Sequence, residues 1–382
     1  MTRVTAVFPE PTPYRAPLLD RIARQDELDL TVLYAAETVA SRRWTVPLHH
    51  CHVVLRGVRI PGAHGVLRHE YPLTPGVWPA LSRGRPDVVV ASGWSTFASQ
   101  AALAWSRVHR VPYLLVVESH DRDRRPGWRW AIKGAVVPRV VRGATGVLVT
   151  GTLARESMLA RGARPDRIRV FANTVDVPAF AERADRLSAR RPELRKALGL
   201  SPDDIAVLCV ARLAAEKGLD TLLRAVARVD DPRMVVLVAG EGPVRENLER
   251  LATELGVRLT LLGDLEWERI VEAYVAADVF ALLSTSEPWG VVVNEAAACG
   301  LPLVLSDAVG AAHDLLVESE NGFLVPAGDV DATAAALRSL SDDPARRASF
   351  GAASRRIVAG WGYEPSVKSF LELVRLAAQR SQ

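Results

Sequence analysis

Ser284-Thr-Ser-Glu-Pro-Trp-Gly-Val-Val-Val-Asn-Glu-Ala-Ala-Ala-Cys-Gly-Leu-Pro302 lies between two short apolar runs, Val279 to Leu282 and Leu303 to Leu305, and reads as a loop feeding an amphipathic helix. Pro288 stops the first run and Gly290 opens the next element. Gly300 followed by Pro302 supplies the stop expected just past a helix C-terminus. Strand, helix and strand in succession are the unit of a parallel sheet. Glu287 falls in the entry loop and Glu295 one turn or more into the helix. Between them lie the first-turn N–H groups near Gly290, Val291 and Val292, at the positive end of the helix dipole, a seat for phosphate oxygens. Hydroxyl-binding carboxylates at both ends with a diphosphate seat between them suit a sugar nucleotide.

The same alternation extends in both directions. Apolar runs at Val4 to Phe8, Leu28 to Tyr34, Cys51 to Leu55, Val88 to Ala91, Tyr113 to Val117 and Gly146 to Val149 alternate with helical stretches. The pattern restarts at Ile205 to Val210, Val235 to Ala239 and Leu259 to Leu262. At 382 residues the chain exceeds the comfortable size of one hydrophobic core. Two doubly wound α/β domains are therefore expected, residues 1–178 and 205–362, joined by an Arg- and Ala-rich linker at 179–204. A terminal helix at 363–382 has apolar residues at helical spacing, Val367, Phe370, Leu371 and Val374, and is expected to cross back onto the first domain.

Charge is unevenly shared. Residues 1–190 hold 28 Lys and Arg against 16 Asp and Glu, a balance of +12, whereas the remainder holds 20 against 28, a balance of −8. The basic half is a candidate for anionic groups or peripheral contact at the inner face of a membrane. No apolar run approaches the roughly 18 to 20 residues that span a bilayer, and the first residues lack a signal-peptide pattern. Three scattered cysteines form no disulfide framework. A cytoplasmic location is expected. No module for specific nucleic-acid binding is present.

Further motifs fall after strands of the second half, where doubly wound domains collect ligands. Ala211-Arg212-Leu-Ala-Ala-Glu-Lys217-Gly218-Leu-Asp220 follows the run ending at Val210, and holds one of only four lysines in the chain. Arg offers a fork of donors and Lys a mobile point charge, a pair suited to a departing diphosphate. Gly240-Glu241-Gly242-Pro243 follows the next run. It lacks the third glycine of a dinucleotide fingerprint, Arg245 standing there, which disfavours a nicotinamide enzyme.

Together with Leu262-Gly263, Ala277-Asp278-Val-Phe280, Ser286-Glu-Pro-Trp-Gly290, Glu295-Ala-x2-Cys-Gly-Leu-Pro302 and Asn321-Gly-Phe-Leu-Val-Pro-x-Gly-Asp329, these motifs resemble the donor half of glycosyltransferase family 4 over about residues 205 to 335. The resemblance implies the GT-B fold, two doubly wound Rossmann-like domains facing each other across a cleft. It implies a retaining transfer from a nucleotide-diphosphate sugar to a hydroxyl on a glycan, glycoside or lipid-linked acceptor, with no cofactor and no metal. Arg212 and Lys217 would bind the diphosphate, Glu295 the ribose hydroxyls and Glu287 the donor sugar. Gly240, Glu241, Pro288, and the backbone of Trp289, Gly290, Val291 and Val292 would line the donor.

In the first half, Tyr113-Leu-Leu-Val-Val-Glu118-Ser-His120-Asp121 and Asn173-Thr-Val-Asp176 resemble the family's catalytic-loop histidine and its Asn-x-Val-Asp. His120 would then act across the cleft from Glu287. The chain departs from the family after its first strand. Pro9-Glu-Pro-Thr-Pro-Tyr14-Arg15-Ala-Pro17 replaces a glycine-rich loop, so N–H contacts are reduced. Tyr14, Arg15 and Glu118 are the expected acceptor contacts, with Arg15 as a substitute cation. Since the donor already carries a good leaving group, holding substrates in register and stabilising departing charge are the protein's main tasks.

Three other readings attach to particular residues. Asp121-Arg-Asp123 is the D-x-D of metal-dependent glycosyltransferases. His49-His50-Cys51-His52 contains metal-ligand types, but neighbours in a strand point to opposite faces and cannot converge on one ion. Arg124 to Lys133 mixes basic and aromatic residues, as a rim helix or a lipid-surface segment would. A nucleotide-sugar epimerase of the same fold is the remaining alternative.

Overall fold

A computed structural model of the chain describes residues 1–38, 46–58, 71–119 and 127–379, and within the helix Gly127–Gly143 it describes the side chains of residue 134 and of 136 onward. The chain forms two compact units. One comprises Met1–Asn173 with Tyr363–Gln382, the other Thr174–Gly362.

Among its described residues the first unit holds seven parallel strands: β1 Thr2–Phe8, β2 Leu28–Tyr34, β3 Cys51–Val54, β4 Val88–Ser92, β5 Tyr113–Val117, β6 Gly146–Val149 and β7 Ile168–Val170. Their order is β3-β2-β1-β4-β5-β6-β7. The inner strands are Val- and Leu-rich and buried on both faces, as parallel strands covered by helices on each side must be. Successive residues serve opposite cores: Val89, Leu115 and Val147 face one, Val88, Val90, Leu114 and Leu148 the other. The helix Tyr363–Ala378 covers the second face, with the Phe370 ring 5.8 Å from Phe171 and Ser366 Oγ accepting from the Ala172 amide at 3.0 Å. Short β3 is exposed throughout, as suits an edge.

The second unit has six parallel strands: β8 Ile205–Val210, β9 Met234–Ala239, β10 Arg258–Gly263, β11 Val279–Leu282, β12 Leu303–Ser306 and β13 Gly322–Val325. The order β10-β9-β8-β11-β12-β13 repeats the first sheet's logic. Direction of winding reverses between β1 and β4 in one sheet and between β8 and β11 in the other. These switch points leave a crevice at the strands' carboxyl ends.

The segment 179–204, expected as a linker, is instead part of the second unit's core. The helix Val177–Ser188 begins at Asp176, whose side chain caps the Ala179 amide at 3.2 Å, and is followed by the helix Arg191–Ala197. Phe180, Ala184 and Leu187 recur at helical spacing and are buried. The second helix is anchored by charge. Arg191 and Arg195 reach the two oxygens of Asp278 at 2.7 and 2.9 Å, and Asp278 also accepts the Ala206 amide at 2.8 Å, tying the starts of β8 and β11 together. The unit boundaries accordingly lie at residues 173/174 and 362/363.

Candidate functional site

Two loops meet at the second unit's switch point. After β8 the chain runs through Ala211–Lys217, ending in the 3-10 turn Ala215–Lys217, into the helix Leu219–Val229. After β11 it runs through Leu283–Gly290 into the helix Val292–Ala298. Gly218 makes their contact possible. Its φ is +65°, and a Cβ there would lie 2.0 Å from the Leu283 carbonyl oxygen. The Thr285 amide then donates to the Glu216 carbonyl at 2.8 Å, bracing one loop against the other.

This packing brings Lys217 and Glu287 together. Lys217 Nζ donates to Glu287 Oε2, and both side chains are largely buried, at 18% and 16% exposure. Arg212 behaves differently. It is exposed and held by Glu216, Nη2 to Oε1 at 2.6 Å. The cation and the carboxylate expected to face diphosphate and sugar are thus in contact, with the second cation on the rim of the same loop.

The Gly240-Glu-Gly-Pro243 turn builds the floor of that loop. Gly240, with φ +137°, would place a Cβ 2.1 Å from the Ala211 carbonyl, and the Leu213 amide donates to the Glu241 carbonyl at 2.9 Å. The Glu241 carboxylate is turned to Arg245 at 2.8 Å.

The helix Val292–Ala298 begins two residues later than the sequence suggests, with Val291 as its N-cap and Gly290 at φ +91°. Among the described residues, the amides of Gly290, Val291 and Val292 have no backbone acceptor. Pro288 is exposed, whereas Trp289 is 3% exposed. On the next turn Glu295 accepts from the Tyr274 hydroxyl at 2.8 Å. Burial raises the Glu295 carboxyl to about 7, against the opposing effect of the Tyr274 hydrogen bond. Burial likewise raises the Tyr274 phenol, with the Glu295 charge adding to it.

In the first unit, Arg15, expected as a cationic contact for the acceptor, is turned inward. It is 3% exposed, and its Nη2 donates to Glu118 Oε1 at 3.0 Å and to Asn173 Oδ1. The guanidinium carbon lies 4.4 Å from the Phe171 ring centroid, a favourable seat for the cation, and Nε and Nη1 find no acceptor among the described residues. The loop's proline-set path turns this side chain inward, where it binds the ends of β5 and β7. Arg15 therefore positions Glu118, whose carboxylate remains 36% exposed, and Tyr14 beside it is partly buried.

His120 and the Asp121-Arg-Asp123 motif lie outside the described residues, as do the side chains of the basic and aromatic stretch up to Lys133. His50 is a buried, satisfied histidine, bonded to Asp20 Oδ1 at 2.5 Å and to the Tyr34 hydroxyl at 3.0 Å. Burial lowers its pKa. Among the described residues no group of three or more His, Cys, Asp or Glu is arranged to hold a metal ion, and no helix is long and apolar enough to cross a membrane.

Sequence reasoning missed Tyr274, Asn294 and Glu216. Tyr274 and Asn294 carried one faint signal, a polar group on an otherwise apolar helix face. Glu216, adjacent to Lys217, carried none.

Residues 190–357 match the family model described as glycosyl transferases group 1, and residues 12–174 that of the glycosyl transferase 4-like domain. The chain is 33% identical over 314 residues to a D-inositol 3-phosphate glycosyltransferase of Xylanimonas cellulosilytica, covering 78% of this chain and 74% of that protein. It is 30% identical over 291 residues to the sulfoquinovosyl transferase SQD2 of Arabidopsis thaliana, covering 74% of this chain and 55% of the other. Among solved structures, Anabaena HepE in complex with UDP superposes with a TM-score of 0.74 at 20% identity, covering 100% of this chain and 99% of that chain.

Proposed function

The chain belongs to glycosyltransferase family 4, with the GT-B fold, and from that premise we propose that it is a retaining, metal-independent enzyme that moves a sugar from a nucleotide-diphosphate sugar to an acceptor hydroxyl. One observation carries the reading: Lys217 and Glu287 are paired at the strand tips of the second unit's switch point. In the proposed reaction the diphosphate draws Lys217, with Arg212 from the rim. Glu287, released from the ammonium, accepts from donor sugar hydroxyls. Glu295 takes the ribose hydroxyls and the backbone of Trp289 to Val292 encloses the sugar and phosphate. The bond from the anomeric carbon to the diphosphate oxygen breaks as the acceptor oxygen bonds to that carbon on the same face. The acceptor's proton passes to the departing diphosphate. Lys217 and Arg212 stabilise the charge that grows there, which is where preorganised electrostatics contribute most. His120 serves the leaving group and donor sugar. Glu118, oriented by Arg15, accepts from an acceptor hydroxyl.

The HepE complexes with UDP and with UDP-glucose support a uridine donor as the first to try. The D-inositol 3-phosphate enzymes and a mannosyltransferase acting on a monoacylated phosphatidylinositol monomannoside support polyol and lipid-linked acceptors. The basic balance of residues 1–190 supports peripheral contact with an anionic lipid surface, which liposome sedimentation with and without anionic lipid tests. For the reaction, UDP-, GDP-, ADP- and dTDP-sugars are screened by thermal stabilisation of the protein. The stabilising donor is then incubated with acceptors, and the product's anomeric configuration is read by NMR. A retained configuration is expected. Inversion refutes the retaining assignment, and an isomerised donor sugar without acceptor assigns an epimerase instead.

A further inference from the structure

Trp289 sits in the turn that carries Glu287, yet its indole is buried. A buried indole N–H needs an acceptor, and Asn294 Oδ1 provides it at 3.0 Å. Asn294 is itself 0% exposed, and its Nδ2 donates to Thr174 Oγ1 at 3.3 Å. Thr174, also 0% exposed, donates its hydroxyl hydrogen bond to the Trp361 carbonyl at 2.5 Å. The circuit closes through the rings, since Trp361 lies tilted against Trp289 with centroids 5.5 Å apart. Only one orientation of the carboxamide satisfies this set. Indole is a donor only, so it must meet the carboxamide oxygen. The threonine proton is already spent on a carbonyl, so its lone pair must meet the carboxamide nitrogen.

Thr174 and Trp361 flank the two places where the backbone passes from one unit to the other, 173/174 and 362/363. The middle member is adjacent in sequence to Glu295, and the far member is two residues from Glu287. From the opposite side, the turn is held by the loop after β12, where Gly310 N and Ala311 N donate to the carbonyls of Glu287 and Trp289, both at 2.9 Å. Apolar side chains would fill the same volume, but would fix neither the rotation of the indole nor its distance from the crossings.

We propose that Asn294 is a positioning residue that fixes the sugar-facing turn Glu287–Gly290 relative to the nucleoside-facing Glu295 and to the two chain crossings. This rests on the donor assignment above. Asn294 acts through Trp289: it sets where the turn's backbone stands, and so how well the site holds a sugar on a diphosphate it already grips by Lys217 and Arg212.

The test uses whichever sugar nucleotide stabilises the full chain in the screen, together with its nucleoside diphosphate. Asn294→Ala is expected to weaken the intact sugar nucleotide about tenfold, because the turn shifts to relieve the indole left without its acceptor and must be drawn back on binding, while nucleoside diphosphate affinity stays within about twofold. Trp289→Phe keeps an aromatic ring but removes the N–H together with part of the buried indole's volume, so it should weaken the sugar nucleotide at least as much. The double variant should be no worse than either single one. Equal weakening of both ligands, no weakening of the sugar nucleotide, or losses that multiply in the double variant would each overturn the proposal. Lys217→Ala serves as the reference: if it leaves nucleoside diphosphate binding untouched, the donor assignment itself has failed, whereas a Lys217 effect without the Asn294 separation refutes only the positioning role.

Discussion

Replacing Tyr274 by Phe removes one hydroxyl from a filled position and leaves the ring packed 6.1 Å from Phe280. The lost group is the donor to Glu295 Oε2. In the unliganded protein the Glu295 carboxyl titrates at about 7, so at neutral pH it is about half ionised. A hydrogen bond to a charged group is worth about 1.5–3 kcal/mol, or about ten- to a hundredfold in the acid dissociation constant. Without it the ionised fraction at pH 7 falls to about a tenth to a hundredth. Ribose hydroxyls donate, and therefore require the carboxylate. The affinity of Tyr274→Phe for a nucleoside diphosphate at pH 7 should fall about five- to fiftyfold and recover as pH is raised. The unsubstituted protein should show the same rise centred near pH 7, with proton release on binding. Stability runs the other way. A carboxyl raised by folding makes the native state bind more protons than the unfolded chain, so stability of the free protein declines as pH climbs from the ordinary 4.5 to about 7. Titration calorimetry between pH 6 and 9.5, in buffers of different ionisation enthalpy, reads both affinity and proton count. Superimposable pH profiles for the two proteins would refute the argument.

Three further outcomes follow from the geometry. Lys217→Ala should lose about 10² to 10³ in kcat, as for a lost donor to developing negative charge, and an unchanged rate would remove Lys217 from the chemistry. Turnover should persist in excess EDTA; loss restored by manganese would return the D-x-D reading. Asp278→Ala strips Arg195, 5% exposed, of its carboxylate and should cost about 3–5 kcal/mol in urea unfolding, so a loss below about 1 kcal/mol would show that the pair contributes little.

The strand pattern was legible because parallel strands covered on both faces must be nearly continuously apolar, as β4, β9 and β11 are. The paired Lys217 and Glu287 were legible as residue types at strand ends, though 70 positions apart. What failed to show was determined by partners remote in sequence. Arg15 reads as a cation for the acceptor because Glu118 and Asn173, which draw it inward, lie 103 and 158 residues away. The helix Val177–Ser188 was hidden by its composition. Four buried positions, Val177, Phe180, Ala184 and Leu187, are enough to seat it, but they are matched in number by charged residues, Glu182, Arg183, Asp185 and Arg186. Tyr274 and Asn294 gained meaning only when folding brought an acceptor or a donor to each.

The return of the helix Tyr363–Ala378 to the first sheet sets an order on how the protein is made. Val4, Phe8, Leu114 and Leu148 share an apolar face whose cover includes Phe370 and Val374. Those covering residues leave the ribosome only after all of residues 174–362, by which time the second sheet has every strand it needs. Domains of nascent chains generally fold as they emerge, N-terminal first. Here the N-terminal unit is the one left open, greasy side outward, until Tyr363–Ala378 has emerged, and chaperone capture or aggregation during synthesis should concentrate on that half of the molecule.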